Sequence, residues 1–195
     1  MNRSDIGELH YIAPITNVVS IIRNGILSNR RAARLPHESI AMQEVQGRRV
    51  DKRIPGGRWL HDYVNLYFDA HNQMLSKCRS HNHNICVLRV EARVLDLEGV
   101  IVTDRNAASS YARFRPMASG IEVLDKDLVY ARYWTHQDPY EAMTQKSIKC
   151  AEVLVPDRVD PTFITGVYVA NKLGLAAFQN AYGALPATVK QDMFF

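Results

Sequence analysis

Apolar residues along this chain gather in short runs, some alternating with polar residues and others spaced for one face of a helix. The run ELHYIAPI, rich in β-branched and aromatic residues and ended by Pro14, predicts a first strand. ITNVVSIIRNGILS follows, with Val18, Val19, Ile21, Ile22 and Ile26 apolar. Thr16 or Asn17 is placed to cap its start and Gly25 to stop it, which predicts a short helix. A polar, arginine-rich stretch comes next, with a helix expected over 37–48 and a break at IPGG, residues 54–57. LHDYVNLYFDA alternates as a strand does, and NICVLRVEARVL is a stronger case through Ile85, Val87, Leu88 and Val90. GVIVTDRNAASSYARFR predicts a short strand, a polar loop and then one helical turn. LVYARYW fits a strand or a helix end, CAEVLVPD a strand stopped by Pro156, and FITGVYVANKLGLAAFQNAYG a strand followed by a helix. Strands and short helices mix without a βαβ rhythm, so the expected class is α+β rather than a doubly wound sheet. No repeat, low-complexity tract or linker interrupts the 195 residues, and one domain over 1–195 is expected.

Composition narrows the class. With 47% hydrophobic and 23% charged residues the chain belongs among folded proteins rather than disordered ones. No apolar run approaches the roughly 18 to 20 residues of a membrane span, and the N-terminus lacks the layout of a secretory signal. Three cysteines, an odd number, point to free thiols in a reducing compartment, so a cytoplasmic location is expected, with no membrane association. The formal net charge of +4 is unevenly spread. Arg23, Arg30, Arg31, Arg34, Arg48, Arg49, Lys52, Arg53 and Arg58 face only Glu38, Glu44 and Asp51 over residues 23–58. Such a zone suits a phosphate-bearing partner, nucleotide or nucleic acid, although a solvated surface is the ordinary alternative.

Cys78, His81, His83 and Cys86 place four zinc-type ligands close together. Their C-x2-H-x-H-x2-C spacing is not a usual paired-ligand spacing, and strand alternation aims Cys86 at the core, so no metal is expected. The chain has no phosphate-binding glycine loop, no dinucleotide fingerprint and no G-x-S-x-G nucleophile elbow. What remains is a set of separated polar residues: His10 and Tyr11 on the first strand, Arg49 in the basic zone, Tyr67 at a strand end, the loop TDRNAASSYARF, and Glu152. Taken singly, each has an ordinary structural account. Glu152 is the sharpest question, because it puts a charge at the head of the apolar run Val153-Leu154-Val155.

Five stretches together, HYIAPITNVVSIIRNGILS, SIAMQEVQGRRVDKRIPGG, LHDYVNLYF with QML, VTDRNAASSYARF and AEVLVPD, resemble in residues and order the DarT family. These are toxins of toxin–antitoxin pairs that ADP-ribosylate DNA bases using NAD. The resemblance covers most of residues 8 to 157. It implies the ADP-ribosyltransferase fold: two packed, mainly antiparallel sheets around an NAD cleft, with peripheral helices. It further implies Glu152 as catalytic glutamate and Arg49 as the catalytic-site arginine. His10, Tyr11, Asn17, Tyr67 and Met74 are implied on the NAD side. Arg105, Asn106, Ser109, Tyr111, Arg113 and Cys150 are implied on the DNA side, and the antitoxin is implied to carry a macrodomain that removes ADP-ribose.

Three departures from the family pattern stand out. The chain reads His10-Tyr11 where family members often read Tyr-His, and adjacent strand residues face opposite sides, so only one of them faces the pocket; His10 is favoured. Asn106 and Cys150 replace the His and Gln that thymine-modifying relatives tend to have, which favours guanine over thymine as acceptor. Chemically, a carboxylate held against the ribose stabilises the positive charge that develops as the nicotinamide bond breaks. A planar guanidinium suits the pyrophosphate, and Tyr111 or Phe114 suits a stacked neighbouring base of single-stranded DNA. Two alternatives stay open at this level. One is the same fold acting on RNA, protein or water; the other is a non-catalytic nucleic-acid-binding module.

Overall fold

In the computed structural model, which describes residues 1–195, the alternating run near the start of the chain forms strand β1 (Glu8–Pro14). Helix α1 (Val18–Asn24) follows and stops where Gly25 turns to φ +87°. A Cβ at Gly25 would stand 2.4 Å from the Val159 carbonyl oxygen, so both the backbone angle and the space demand glycine. The chain then pairs as strand β2 (Ile26–Leu27), passes through α2 (Asn29–Ala32) and an irregular strap, and enters α3 (Gln43–Val50). Next come β3 (Tyr63–Tyr67), α4 (Gln73–Lys77) and β4 (Ile85–Glu91). A hairpin of two short strands, β5 (Ile101–Thr103) and β6 (Phe114–Pro116), carries the polar loop 104–113 between them. Helices α5 (Met117–Glu122), α6 (Lys126–Val129) and α7 (Pro139–Ile148) lead to β7 (Glu152–Pro156). Four further elements follow: β8 (Arg158–Val159), β9 (Ile164–Val169), α8 (Lys172–Tyr182) and β10 (Ala187–Val189).

Eight strands form one sheet in the order β10-β9-β4-β1-β3-β7-β5-β6, and β2 with β8 makes a separate ribbon. Every pair is antiparallel except β9 with β10. The resemblance implies two sheets, and the register explains how they become one. β1 and β3 share a single ladder pair, His10 with Tyr67, whereas β1 pairs with β4 from Glu8 to Pro14 and β3 with β7 along its whole length. Two four-stranded halves therefore meet at one rung, and Tyr11–Pro14 and Tyr63–Leu66 are not paired with each other. One face of the sheet buries the main core, including Leu9, Leu66, Leu88, Val153 and Val167. The opposite face packs Ile12, Tyr67 and Val87 with Leu75, Met193 and Phe194. No helix is long and apolar enough to cross a membrane.

The departures from the sequence expectations have identifiable causes. Ile26 belongs to β2, not to the first helix, because Gly25 turns the chain away before it. Neither Thr16 nor Asn17 caps α1. The Asn17 side chain instead donates to the Glu38 carbonyl (2.7 Å) and accepts from the Glu38 N–H (3.0 Å), while the Thr16 hydroxyl donates to the Glu38 carboxylate (2.9 Å). Holding both main-chain groups of Glu38 keeps residues 37–42 out of the expected helix, and α3 starts at Gln43. After the polar loop the chain forms β6, so the helical turn expected there begins only at Met117. Of LVYARYW, Leu128 and Val129 end α6 and the remainder is irregular. Helix α7 was not expected, although Asp138 caps the Tyr140 and Glu141 N–H groups (2.7 and 3.1 Å) with Pro139 in the first turn. Gly25→Ala is expected to lower unfolding free energy by about 1–3 kcal/mol, through strain and displacement of β8. Urea denaturation checks this, and an unchanged midpoint contradicts it.

Candidate active site

The site grows from the first residue of β7. Glu152 is fully buried, flanked across the sheet by Tyr67 of β3 and Thr103 of β5. Its N–H donates to the Thr103 hydroxyl (3.1 Å), which itself donates to the Arg105 carbonyl (2.7 Å). A buried carboxylate is costly unless paired and hydrogen-bonded. Arg49 supplies the pairing with two parallel bonds, Nη1 to Oε1 (3.0 Å) and Nη2 to Oε2 (2.8 Å), and the Ala107 N–H donates to Oε1 (3.0 Å). Arg49 lies in the last turn of α3, where the carbonyl end of a helix favours a cation. Burial works against its charge, but the Glu152 carboxylate outweighs that and raises the guanidinium pKa. Burial and the nearby Glu152 also raise the Tyr67 hydroxyl, which stays protonated and donates to the Met74 sulfur (3.2 Å).

A cleft of about 350 Å³ opens where β1 and β3 part. Tyr11, Asn17, Tyr67, Met74, Asn106 and Cys150 all line it, as do the strap around Glu38 and Arg49 itself. Glu152 lies behind Arg49, shielded from solvent. The structure thus converges residues that the sequence scatters from position 11 to position 152. Cys150 reaches the cleft from the turn after α7, not from the strand face that alternation implies. Burial pushes its thiol up to about 12, so it is a neutral, apolar wall and not a nucleophile.

His10 is the chief reversal, since Tyr11 and not His10 lines the cleft. The imidazole turns to the other side of β1, where Nε2 meets Glu8 (3.2 Å). Glu8 also accepts from Arg89 Nε and the Tyr168 hydroxyl (2.8 Å each), so its partners fix which way His10 points. On loop 104–113, Asn106 lines the cleft, whereas Arg105 pairs with Asp104 (3.2 Å), and the exposed Arg113 gives its N–H to Asp104 (3.0 Å). Tyr111 is 71% exposed, and Ser109 accepts from the Tyr111 N–H (3.2 Å), stabilising the loop itself. His81 and His83 are exposed while Cys78 and Cys86 are buried, and no three His, Cys, Asp or Glu residues converge on a metal position.

Sequence reasoning missed three contributors. The Ala107 N–H acts through the backbone and leaves no mark in residue type. Lys149, fully buried, pairs with Asp69 and donates to the Val129 carbonyl (2.9 Å), tying the turn before β7 to the end of β3. His61 lines the cleft against Gln46 (3.0 Å), its pKa lowered by burial and by Arg49.

The large split sheet, its small ribbon and its peripheral helices are those of the ADP-ribosyltransferase fold. Comparison with known proteins agrees: residues 10–195 match the family described as DarT, ssDNA thymidine ADP-ribosyltransferase, and the chain belongs to that family. A fusion protein of Thermosipho africanus, described as a DNA ADP-ribosyl transferase–DNA ADP-ribosyl glycohydrolase, is 30% identical over 178 residues. That match covers 84% of this chain and 42% of the fusion protein. The structure of Thermosipho africanus DarTG in complex with ADP-ribose superposes with a TM-score of 0.83 at 25% identity, covering 97% of this chain and 51% of that one. A Thermus DNA ADP-ribosyl transferase is 30% identical over 158 residues, 75% of this chain and 73% of its own length. The structure of Thermus sp. 2.9 DarT with ADP-ribosylated single-stranded DNA superposes at TM-score 0.79 and 26% identity, over 98% of this chain and 97% of that one. The chain therefore spans about half or less of the fusion protein and most of the Thermus one.

The Glu8 cluster makes an acid-stability prediction. Burial alone would raise the Glu8 carboxyl, but bonds from His10, Arg89 and Tyr168 outweigh it and hold the group at about 2, below the ordinary 4.5. A depressed folded-state pKa contributes stability above 4.5 that is lost as pH falls towards 2. Glu8→Gln should therefore flatten stability against pH in that window; denaturant midpoints at stepped pH check it, and an unaltered slope contradicts it.

Proposed function

We propose that the protein transfers ADP-ribose from NAD to a base of single-stranded DNA and releases nicotinamide, with guanine as the favoured acceptor. The observation that carries this reading is the Arg49–Glu152 pair standing at the wall of a cleft formed by the parted strands. In this reading residues 1–195 act as one catalytic domain. Two relatives support it: one was solved with ADP-ribose and the other with ADP-ribosylated single-stranded DNA.

Glu152 is the group that favours the transition state over the ground state. As the bond between ribose and nicotinamide breaks, nicotinamide leaves with the electron pair and the ribose becomes cationic. A carboxylate fixed on a strand before substrate arrives meets that charge without reorganising. Oε1 accepts two bonds, from Arg49 and Ala107, and Oε2 one, from Arg49, so a ribose hydroxyl reaches Oε2 once the guanidinium swings towards the anionic oxygens. Arg49 fixes the carboxylate's direction and offers a guanidinium towards the cleft for anionic oxygens. Tyr11, Tyr67 and Met74 supply the apolar and aromatic wall suited to nicotinamide. A nitrogen of the base then donates its electron pair to the ribose carbon and loses its proton to solvent.

Two residues support guanine. The Asn106 side-chain oxygen accepts from the Ala108 N–H (2.8 Å), so its amide group is left to donate. Guanine presents acceptors at O6 and N7 for such a donor. Cys150, neutral and without a strong donor, offers no partner like the glutamine of thymine-modifying relatives. Base-pairing atoms are shielded in a duplex, which favours unpaired DNA. A fused glycohydrolase in the Thermosipho relative supports a toxin role, with a macrodomain antitoxin removing the mark.

Incubation with NAD and oligonucleotides of defined base content, followed by mass spectrometry, tests activity and acceptor together. An ADP-ribose adduct confined to guanine-containing strands is expected. Adducts on thymine instead would overturn the base assignment, and adducts only on RNA or protein would overturn the DNA reading. Glu152→Gln should cut nicotinamide release by about a hundredfold to a thousandfold.

A further inference from the structure

Beside the Thr103 hydroxyl, which donates to the Arg105 carbonyl, loop 104–113 is pinned at four points. Asp104 accepts from the Arg113 N–H (3.0 Å), the Asn106 N–H donates to the Ser147 carbonyl (2.8 Å), and the Ala107 N–H donates to Glu152 (3.0 Å). The fourth pin comes from Lys52, two residues beyond α3, whose ammonium donates to the Ser109 carbonyl. This is the only hydrogen bond joining residues 43–62 to the loop. The same Ser109 carbonyl accepts from the Ala112 N–H (3.1 Å), closing the turn whose third residue is Tyr111. Lys52 also stands 5.2 Å from the centroid of the Phe114 ring, at the start of β6 where the loop ends.

Burial and the neighbouring Arg49 guanidinium both lower the Lys52 pKa, so the side chain is held beside a like charge. A lysine free to choose would extend into solvent, as its long stem allows. Here it turns inward, onto a main-chain oxygen in the middle of the loop. The segment that bears Arg49 thereby sets the orientation of the turn that bears the exposed Tyr111.

We propose that Lys52 is a positioning residue for the acceptor: it fixes the Ser109–Ala112 turn so that Tyr111 and Asn106 hold the base in line with the reacting ribose. The inference rests on the transferase reading above. Lys52 acts through the loop, so loosening it lets water compete with the base for the same ribose carbon.

The test compares Lys52→Met and Lys52→Arg with the unsubstituted protein. Nicotinamide release without DNA is expected to change little in Lys52→Met, while transfer to a saturating oligonucleotide falls about tenfold or more. Lys52→Arg, which can still donate to the carbonyl, should restore most of the transfer. A loss cured by raising the oligonucleotide concentration would reduce Lys52 to a phosphate contact and overturn the proposal. An equal loss in both reactions, or no loss, would overturn it too. A second readout needs no activity: tryptic cleavage of the native protein at Arg105, Arg113 and Arg115 should be several-fold faster in Lys52→Met, and an unchanged rate sinks the tether. Absence of nicotinamide release from the unsubstituted protein, with cleavage accelerated as expected, would instead fault the transferase reading and leave the tether standing.

Discussion

The structure turns on one buried ion pair. A carboxylate with no solvent exposure at the head of a central strand cannot stand alone, and removing either partner of such a pair costs about 3–5 kcal/mol. Arg49 comes from 103 residues away to meet Glu152, so the last turn of α3 must lie over the head of β7. Once α3 is there, the strap before it has to cross the mouth of the split. Residues 52–62 after it have to run beside the β5–β6 hairpin. The chemistry and the packing of this half of the molecule therefore have a common origin.

The pair is also asymmetric in a useful way. Arg49 touches the cleft, Glu152 does not, and the Ala107 N–H ties the acceptor loop to the same carboxylate oxygen. In the proposed reading, the wall for the donor substrate and the loop for the acceptor thus share one anchoring atom. Around it the chain places groups that stay neutral: Tyr67 and Cys150, both raised by burial. Neutral walls leave the arginine and the glutamate as the charges that a cationic ribose and an anionic pyrophosphate would sense.

Elements whose register is set locally were legible in the sequence. β1, β4, β7 and β9 follow from their apolar patterns, β1 and β7 also from the prolines that end them, and Gly25 marks a stop that its positive φ explains. Glu152 was visible as a charge that spoils an apolar run. Arg49 was not: among nine basic residues over 23–58, only the family resemblance picked it out. Alternation correctly required that His10 and Tyr11 face opposite ways, but the direction depends on Glu8, Arg89 and Tyr168, from three strands. The strap at 37–42 looked helical because its restraint, the Asn17 side chain, lies 21 residues upstream. Ala107 contributes only a backbone N–H, and Lys149 looks like any surface lysine until Asp69 is folded against it. Long-range partners, not local propensity, account for each of these.

The single rung between His10 and Tyr67 has a mechanical consequence. Two stiff four-stranded plates joined along so short a seam resist shear within each plate but not rotation about the seam. The aperture between them is therefore governed by what bridges it from outside, the Glu38 strap and α3, rather than by ladder hydrogen bonds. The core shared by both plates holds them together, so the movement the seam allows is concentrated at the slot.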